Sequence, residues 1–207
     1  MAISEEQIKS AVKHLRKSDA LLKAQIDLIG PFTLKLQRDR FDVLVRSIIS
    51  QQISTAAARS IRQRLLDRIA PGKPTPEALR ALSIDDLWSV GVSPQKAGYL
   101  HDLAEKVAEG AVRIKRLGSM TDEAVIEELV QVKGIGRWTA EMFLIFSLGR
   151  LDVLPVQDLG IRSAMMRIYG LKELPDRQRC LDIGNPWRPY ASIASWYCWR
   201  SGDVNNG

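Results

Sequence analysis

Cysteine is scarce in this chain, with only Cys180 and Cys198 among 207 residues. Two thiols cannot staple a chain of this length, which excludes a disulfide scaffold. Histidine is equally rare, and His14 and His101 stand alone with no metal-ligand spacing, so both read as surface or ordinary helix residues. No apolar run approaches the roughly 18 residues of a membrane span, so no membrane association is expected. No convincing alternation marks a strand, and Phe32-Thr-Leu-Lys-Leu is the best short candidate. Low-complexity segments and repeats of fixed period are missing too. The opening Met1-Ala-Ile-Ser-Glu-Glu lacks the basic and apolar regions of a secretory signal. The expected compartment is therefore the cytoplasm, with reduced thiols.

What is present describes a soluble helical protein. Hydrophobic residues make up 45% and charged residues 26%, and the length allows one large domain or two small ones. The balance of 30 Lys+Arg against 24 Asp+Glu gives a net charge of +6, which favours polyanion partners. Ser4 with Gln7 reads as a capping box, followed by Ile8, Val12 and Leu15 at helical spacing. Asp19 starts a second helix that Gly30-Pro31 ends. Ser54 caps a long helix stopped by Pro71-Gly72, Pro94 suits a first turn, and Thr121 caps another helix. Trp138 to Leu148 is apolar nearly all round and reads as a central helix. The expectation is an all-α chain of roughly ten short helices in two lobes. Residues 1–30 and 131–207 would form the lobe carrying the functional loops, and 31–130 a central helical lobe.

The most informative stretch is Leu129-Val-Gln-Val-Lys-Gly-Ile-Gly-Arg-Trp-Thr-Ala140. One helix runs into Gly134-Ile135-Gly136 and a second starts at once. Two glycines around an aliphatic residue leave the backbone bare, so amides opening the second helix, through Trp138 and Thr139, point outward with the helix dipole behind them. Such a turn grips phosphate without side-chain charge, and Lys133 and Arg137 flank it. It would position the protein on a nucleic-acid backbone without reading bases. One helix length downstream, Asp158 follows a Pro-containing turn and precedes an apolar-periodic helix, the place of an N-cap. A carboxylate fixed there can stabilise positive charge developing on a deoxyribose.

Hairpin, spacer and aspartate together resemble the helix-hairpin-helix (HhH-GPD) DNA glycosylase superfamily, and most closely its 3-methyladenine DNA glycosylase II, AlkA-type, branch. Further matches are Ser50-Gln-Gln-Ile-Ser54, Gly91-Val-Ser-Pro-Gln-Lys-Ala-Gly-Tyr-Leu100, and Asn185-Pro-Trp-Arg-Pro-Tyr190 through Trp196-Tyr197. The resemblance covers about residues 35–200 and leaves no room for the N-terminal β-rich domain of some members. It implies a compact, two-lobed helical fold with the hairpin at the cleft.

By this resemblance Asp158 is the catalytic carboxylate of an enzyme that flips an alkylated purine, of the 3-methyladenine or 7-methylguanine type, out of duplex DNA. It cuts the N-glycosidic bond and leaves an abasic site. Trp138 stands about where lyase-type members carry a nucleophilic lysine, which implies monofunctional hydrolysis. Trp138, Met142 and Trp196 would line the base pocket, the indoles stacking on a cationic base. Met142 departs from an often aromatic position and softens the pocket. Gln52, with Gln51 beside it, would fill the gap left by the flipped base. Many members hold Na+ or K+ on hairpin carbonyls, which fall on Val130, Val132 and Ile135; no other cofactor is implied. Cys180 and Cys198 are too few and too far apart for the four-cysteine iron–sulfur cluster of the endonuclease III branch. Arg59, Arg62, Arg64 and Arg68 read mostly as a solvated face, and Glu141 and Asp152 as surface or capping groups. The implied partner is double-stranded DNA with a damaged base, bound by a monomer. Two alternatives stay open: a non-catalytic hairpin protein that binds DNA structure, and a glycosylase for deaminated or etheno bases.

Overall fold

The computed structural model describes residues 3–69 and 72–204; the expected helix stop at Pro71 and the first two residues lie outside them. The described residues carry helices and no strand, and Phe32 to Leu36 forms neither helix nor strand. Helices α1 (Glu5–Ser18), α2 (Ala20–Ile29), α3 (Arg40–Ser50), α4 (Thr55–Arg68), α5 (Pro76–Arg80) and α6 (Ile84–Ser89) come first. Then come α7 (Pro94–Ala108), α8 (Asp122–Leu129), α9 (Arg137–Phe143), α10 (Leu159–Ile168), α11 (Arg177–Gly184) and α12 (Ala191–Val204). Side-chain caps set most starts: Ser4 in a full capping box, Asp19, Asp39, Ser54, Thr75, Ser83, Ser93, Thr121, Asp158 and Asp176. Each offers an acceptor oxygen to an amide that the first turn leaves without a helical partner. None of the helices is long and apolar enough to cross a membrane, among the described residues.

The chain divides into two compact units, Met1–Leu36 with Leu144–Gly207, and Gln37–Phe143. These boundaries differ from 1–30 with 131–207 and 31–130. Residues 131–143, the hairpin and α9, fall in the middle unit, whose side chains hold the turn in place, and residues 31–36 fall in the terminal unit. The expected single helix from Trp138 to Leu148 is also divided: α9 ends at Phe143 and a π-helical turn, Leu144–Leu148, follows. Such turns recur at functional sites.

The terminal unit packs α1, α2, α10 and α12 around Leu15, Leu22, Ile26, Phe32, Ile161, Met165, Trp187, Trp196 and Tyr197. Asp19 ties its ends together. One carboxylate oxygen accepts the amides of Leu21 and Leu22; the other accepts Trp187 Nε1 at 2.9 Å and the Tyr169 hydroxyl. Burial and this carboxylate push the Tyr169 phenol far above its ordinary range. In the middle unit α3, α4, α5, α6 and α7 enclose Leu44, Ile48, Leu65, Leu79, Leu87 and Leu100. There Glu128 is buried and accepts the backbone amide and guanidinium of Arg113.

Candidate functional site

In the middle unit, α8 ends at the C-cap Val130 and the chain turns through Val132 to Gly136 into α9. Val132 and Ile135 are buried and bond to each other, Ile135 N–H to Val132 carbonyl, at 3.0 Å. Lys133, Gly134, Gly136, Arg137 and Trp138 are exposed, and Thr139 is buried at the base. The two glycines do different work. Gly134 has φ +81, and a Cβ there would lie 2.2 Å from the Tyr99 ring. A Cβ on Gly136 would meet nothing within 4 Å, so its surface faces open space.

Three side chains of the middle unit fasten this turn. Gln51 Nε2 donates to the Gly134 carbonyl at 2.7 Å. Asp102 accepts the Lys133 amide at 2.8 Å while pairing with Lys106. Tyr99 packs beneath Gly134. Burial pushes the Asp102 carboxyl up, but the Lys106 ammonium and the Lys133 amide outweigh it and leave it below its ordinary value. Gln52, expected to fill the gap, and Gln51 beside it are therefore distinct. Gln51 is half-buried and committed to the hairpin, whereas Gln52 is exposed and left-handed at φ +56. A left-handed non-glycine backbone costs about 1–2 kcal/mol and needs support from its surroundings. Lys96, at the start of α7, supplies it by donating to the carbonyls of Ile49 at 2.8 Å and Gln51 at 2.6 Å. Burial pulls the Lys96 ammonium below its ordinary range. Nothing in the residue pattern alone singles out Lys96; only the family match over Gly91 to Leu100 draws attention to that stretch.

The flanking charges are less free than the sequence suggests. Arg137 makes two bonds of 2.8 Å to the carboxylate oxygens of Glu123 and lies 3.3 Å from Glu141. Those carboxylates raise the Arg137 pKa, Glu123 first. Glu141 is buried, not a surface group, because α9 is enclosed on that side. Of the basic run on α4, Arg59, Arg64 and Arg68 are exposed, as a mostly solvated face requires, while Arg62 binds Asp42, Arg64 donates to the Val90 carbonyl and Arg68 binds Asp86. Trp138 is 44% exposed at the start of α9, and Met142 lies one turn on, half-buried.

In the terminal unit, Asp158 is the N-cap of α10, and its Oδ1 accepts the Ile161 amide at 2.8 Å. The same oxygen accepts Nε1 of Trp199 at 2.9 Å. Trp196, expected as a pocket wall, is only 5% exposed and packs edge-on against Phe32 and Tyr197 at 4.9 Å each. The indole that touches the aspartate is thus Trp199, three residues further on. Asp152 caps from a distance: its carboxylate binds Arg188 at 2.8 Å and the Ala191 amide opening α12. His14 and His101 are ordinary helix residues of α1 and α7, each with Nε2 at a backbone carbonyl, those of Pro186 and Leu82. Among the described residues no group of three or more His, Cys, Asp or Glu side chains is placed to hold a metal ion. Cys180 and Cys198 are buried and separate.

An all-helical chain with a glycine hairpin opening one helix and an N-cap aspartate opening the next defines the helix-hairpin-helix class. Residues 45–189 match the HhH-GPD superfamily of base excision DNA repair proteins, and the chain belongs to that superfamily. It is 31% identical over 197 residues to the alkylbase DNA glycosidase-like protein mag2 of Schizosaccharomyces pombe, covering 93% of this chain and 92% of that one. Among solved structures it is similar to the 3-methyladenine DNA glycosylase Mag1 of the same yeast, in complex with abasic DNA. That match has TM-score 0.86 and 32% identity and covers 96% of this chain and 98% of the other. A DNA-3-methyladenine glycosidase from Bacillus halodurans matches with TM-score 0.86 and 36% identity, covering 95% and 90%.

Proposed function

We propose that this chain is a monofunctional DNA glycosylase. It flips alkylated purines, of the 3-methyladenine or 7-methylguanine type, out of double-stranded DNA and hydrolyses the N-glycosidic bond, leaving an abasic site for base excision repair. Its superfamily and its relatives over nearly the whole chain support this reading. The observation that carries it is Asp158, a carboxylate fixed by the Ile161 amide and the Trp199 indole at the head of α10.

An N3- or N7-alkylated purine already carries positive charge and leaves without much help from an acid. The bonding pair of the N-glycosidic bond departs with the base, and the sugar becomes oxocarbenium-like. A pre-set carboxylate stabilises that charge without reorganising, and a water then bonds to C1′ and loses its proton. Trp138, where a lyase would carry a lysine, offers no amine to attack the sugar, so the strand is not cut. Its exposed face, with Met142 one turn further along α9, suits stacking on a cationic base. The glycine hairpin, from Lys133 to Thr139, grips a phosphate through backbone amides. Gln52 fills the gap that the flipped base leaves. The carbonyls of Val130, Val132 and Ile135 are oxygen donors suited to Na+ or K+, and that of Val132 already takes the Ile135 amide. An ion there would add an electrostatic link between hairpin and phosphate. The protein works as a monomer in the cytoplasm.

The test is a duplex panel carrying single methylated, etheno or deaminated bases, with base release read as alkali-labile cleavage. Release of methylated purines that Asp158→Asn abolishes, with DNA binding retained, supports the reading. Release confined to etheno or deaminated bases would replace the substrate class. Binding with no release from any duplex would make the protein a non-catalytic binder of DNA structure.

A further inference from the structure

Trp199 is held in a seat that a glycine opens. It projects from α12 with its Nε1 2.9 Å from Asp158 Oδ1. A Cβ at Gly160, two residues past Asp158 on α10, would lie 3.0 Å from Asp158 Oδ1, 3.1 Å from Trp199 Cδ1 and 3.3 Å from Trp199 Nε1. The bare backbone of Gly160 therefore leaves the space in which the indole and the carboxylate meet. Phe146, on the π-helical turn Leu144–Leu148, lies against Trp199 with ring centres 5.4 Å apart and planes at 31°, and backs its ring. Carboxylate, glycine, indole and phenyl ring come from three separate segments of the terminal unit. They converge at the edge of a core whose centre is filled by Trp187, Trp196 and Tyr197 instead.

We infer that Trp199 is a positioning residue for Asp158, with Gly160 and Phe146 forming its seat. An N-cap bond from the Ile161 amide fixes where the carboxylate sits but does not by itself fix its plane. A second donor arriving at the same oxygen from another helix fixes the plane as well. Electrostatic stabilisation of a sugar cation depends on that pre-set orientation, because a group that must turn during the reaction gives back part of its gain. This inference rests on the proposed catalytic role of Asp158.

The experiment uses the full chain and three variants. Trp199→Phe keeps an aromatic ring against Phe146 and deletes the N–H. Gly160→Ala keeps the N–H and crowds its seat. Asp158→Asn removes the charge and keeps a capping oxygen. Both Trp199→Phe and Gly160→Ala are expected to lower the single-turnover excision rate about tenfold or more, the scale of a lost charge-assisted hydrogen bond. Affinity for abasic-site DNA should stay within about twofold, since the loss of that one hydrogen bond falls on the reaction step and not on binding. In 15N-labelled protein the indole N–H resonance missing from Trp199→Phe identifies Trp199, and in Asp158→Asn it should move upfield. Wild-type excision by Trp199→Phe would overturn the proposal, as would an indole resonance unmoved by Asp158→Asn. Equal losses of rate and affinity would do the same by marking a merely structural role. An active Asp158→Asn would instead sink the catalytic assignment itself, and the resonance, read without activity, keeps the two failures apart.

Discussion

Gly134 and Gly136 look equivalent in the sequence, and their replacement by alanine should separate fold from ligand contact. At Gly134 an alanine must hold φ +81, which costs about 1–2 kcal/mol for an L-residue. Its Cβ would also lie 2.2 Å from Cδ2 and 2.7 Å from Cγ of Tyr99, inside the ring's own surface. Tyr99 cannot swing away freely, because Gln95 Nε2 donates to its hydroxyl at 2.7 Å. Overpacking of this kind adds about 1–3 kcal/mol. A combined loss of about 3 kcal/mol lowers the melting temperature of a chain this size by about 6–12 °C. At Gly136 the Cβ meets no protein atom, and an alanine before α9 costs less than about 1 kcal/mol. That methyl would meet only a phosphate arriving from outside. Gly136→Ala should therefore melt near the wild type yet bind undamaged and damaged duplexes about tenfold more weakly, one charge-assisted bond's worth. The lost donor is an uncharged amide, so the slope of log affinity against log salt should not change. Lys133→Met should reduce that slope by about 0.9, as one released counterion requires. Differential scanning fluorimetry and fluorescence anisotropy across a salt series measure all three variants. Wild-type affinity in Gly136→Ala would refute the phosphate reading of the hairpin, and wild-type melting of Gly134→Ala would refute the Tyr99 contact.

Lys96→Met removes two bonds from an ammonium to the Ile49 and Gln51 carbonyls and should cost about 2 kcal/mol. Amide exchange at Gln51 and Gln52 should quicken more than elsewhere in the middle unit, and uniform quickening would contradict a local role. Asp102 has its carboxyl held below the ordinary value in the fold, so its contribution is fully present above about pH 4 and fades as pH falls through the lower folded value. The stability gap between wild type and Asp102→Asn should thus be constant near neutrality and narrow in acid; a gap that widens in acid would reverse the assignment. Burial pushes the Cys198 thiol up to about 12 and raises that of Cys180. Neither should react with a thiol reagent at about pH 8 until the protein unfolds, and one rapid equivalent in the native protein would contradict this.

The parts legible from sequence are those decided within one helical turn. Ser4, Asp19, Ser54, Thr121 and Asp158 cap the helices that their spacing suggests, because a cap needs only its own next three residues. Helix α11 is hard to see: Arg-Gln-Arg-Cys-Leu-Asp-Ile-Gly carries little apolar periodicity, and its start shows only in Asp176 after Pro175. The hairpin is legible as a turn, but the unit it belongs to is not. Its anchors Gln51 and Asp102 lie 83 and 31 residues away in sequence from the residues they hold, and Tyr99 is as remote. That it is Trp199 whose indole meets Asp158 is hidden for another reason. Every residue of α12 from Ala191 to Cys198 is buried, so that stretch has no exposed face from which to read which indole is left over.

The net charge of +6 suggests an electrostatic grip, and the disposition of the arginines argues for a different one. Arg40 is committed to the carbonyls of Ile114 and Lys115, Arg62 to Asp42, Arg64 to the Val90 carbonyl and Arg113 to Glu128. In the terminal unit Arg162 donates to the Pro175 carbonyl and Arg188 to Asp152. Each of these answers a carbonyl or a carboxylate within its own unit. Even Arg137, next to the hairpin, is forked onto Glu123. A guanidinium held by a carboxylate gives up that bond before it can meet a phosphate, so it adds long-range attraction and little contact energy. Backbone amides carry no such competitor when the residue above them is a glycine with open space around it. In the proposed mode of binding, the specific part of the grip therefore falls on Gly136 and its neighbours, and the chain's arginine count is a poor guide to how it would hold DNA.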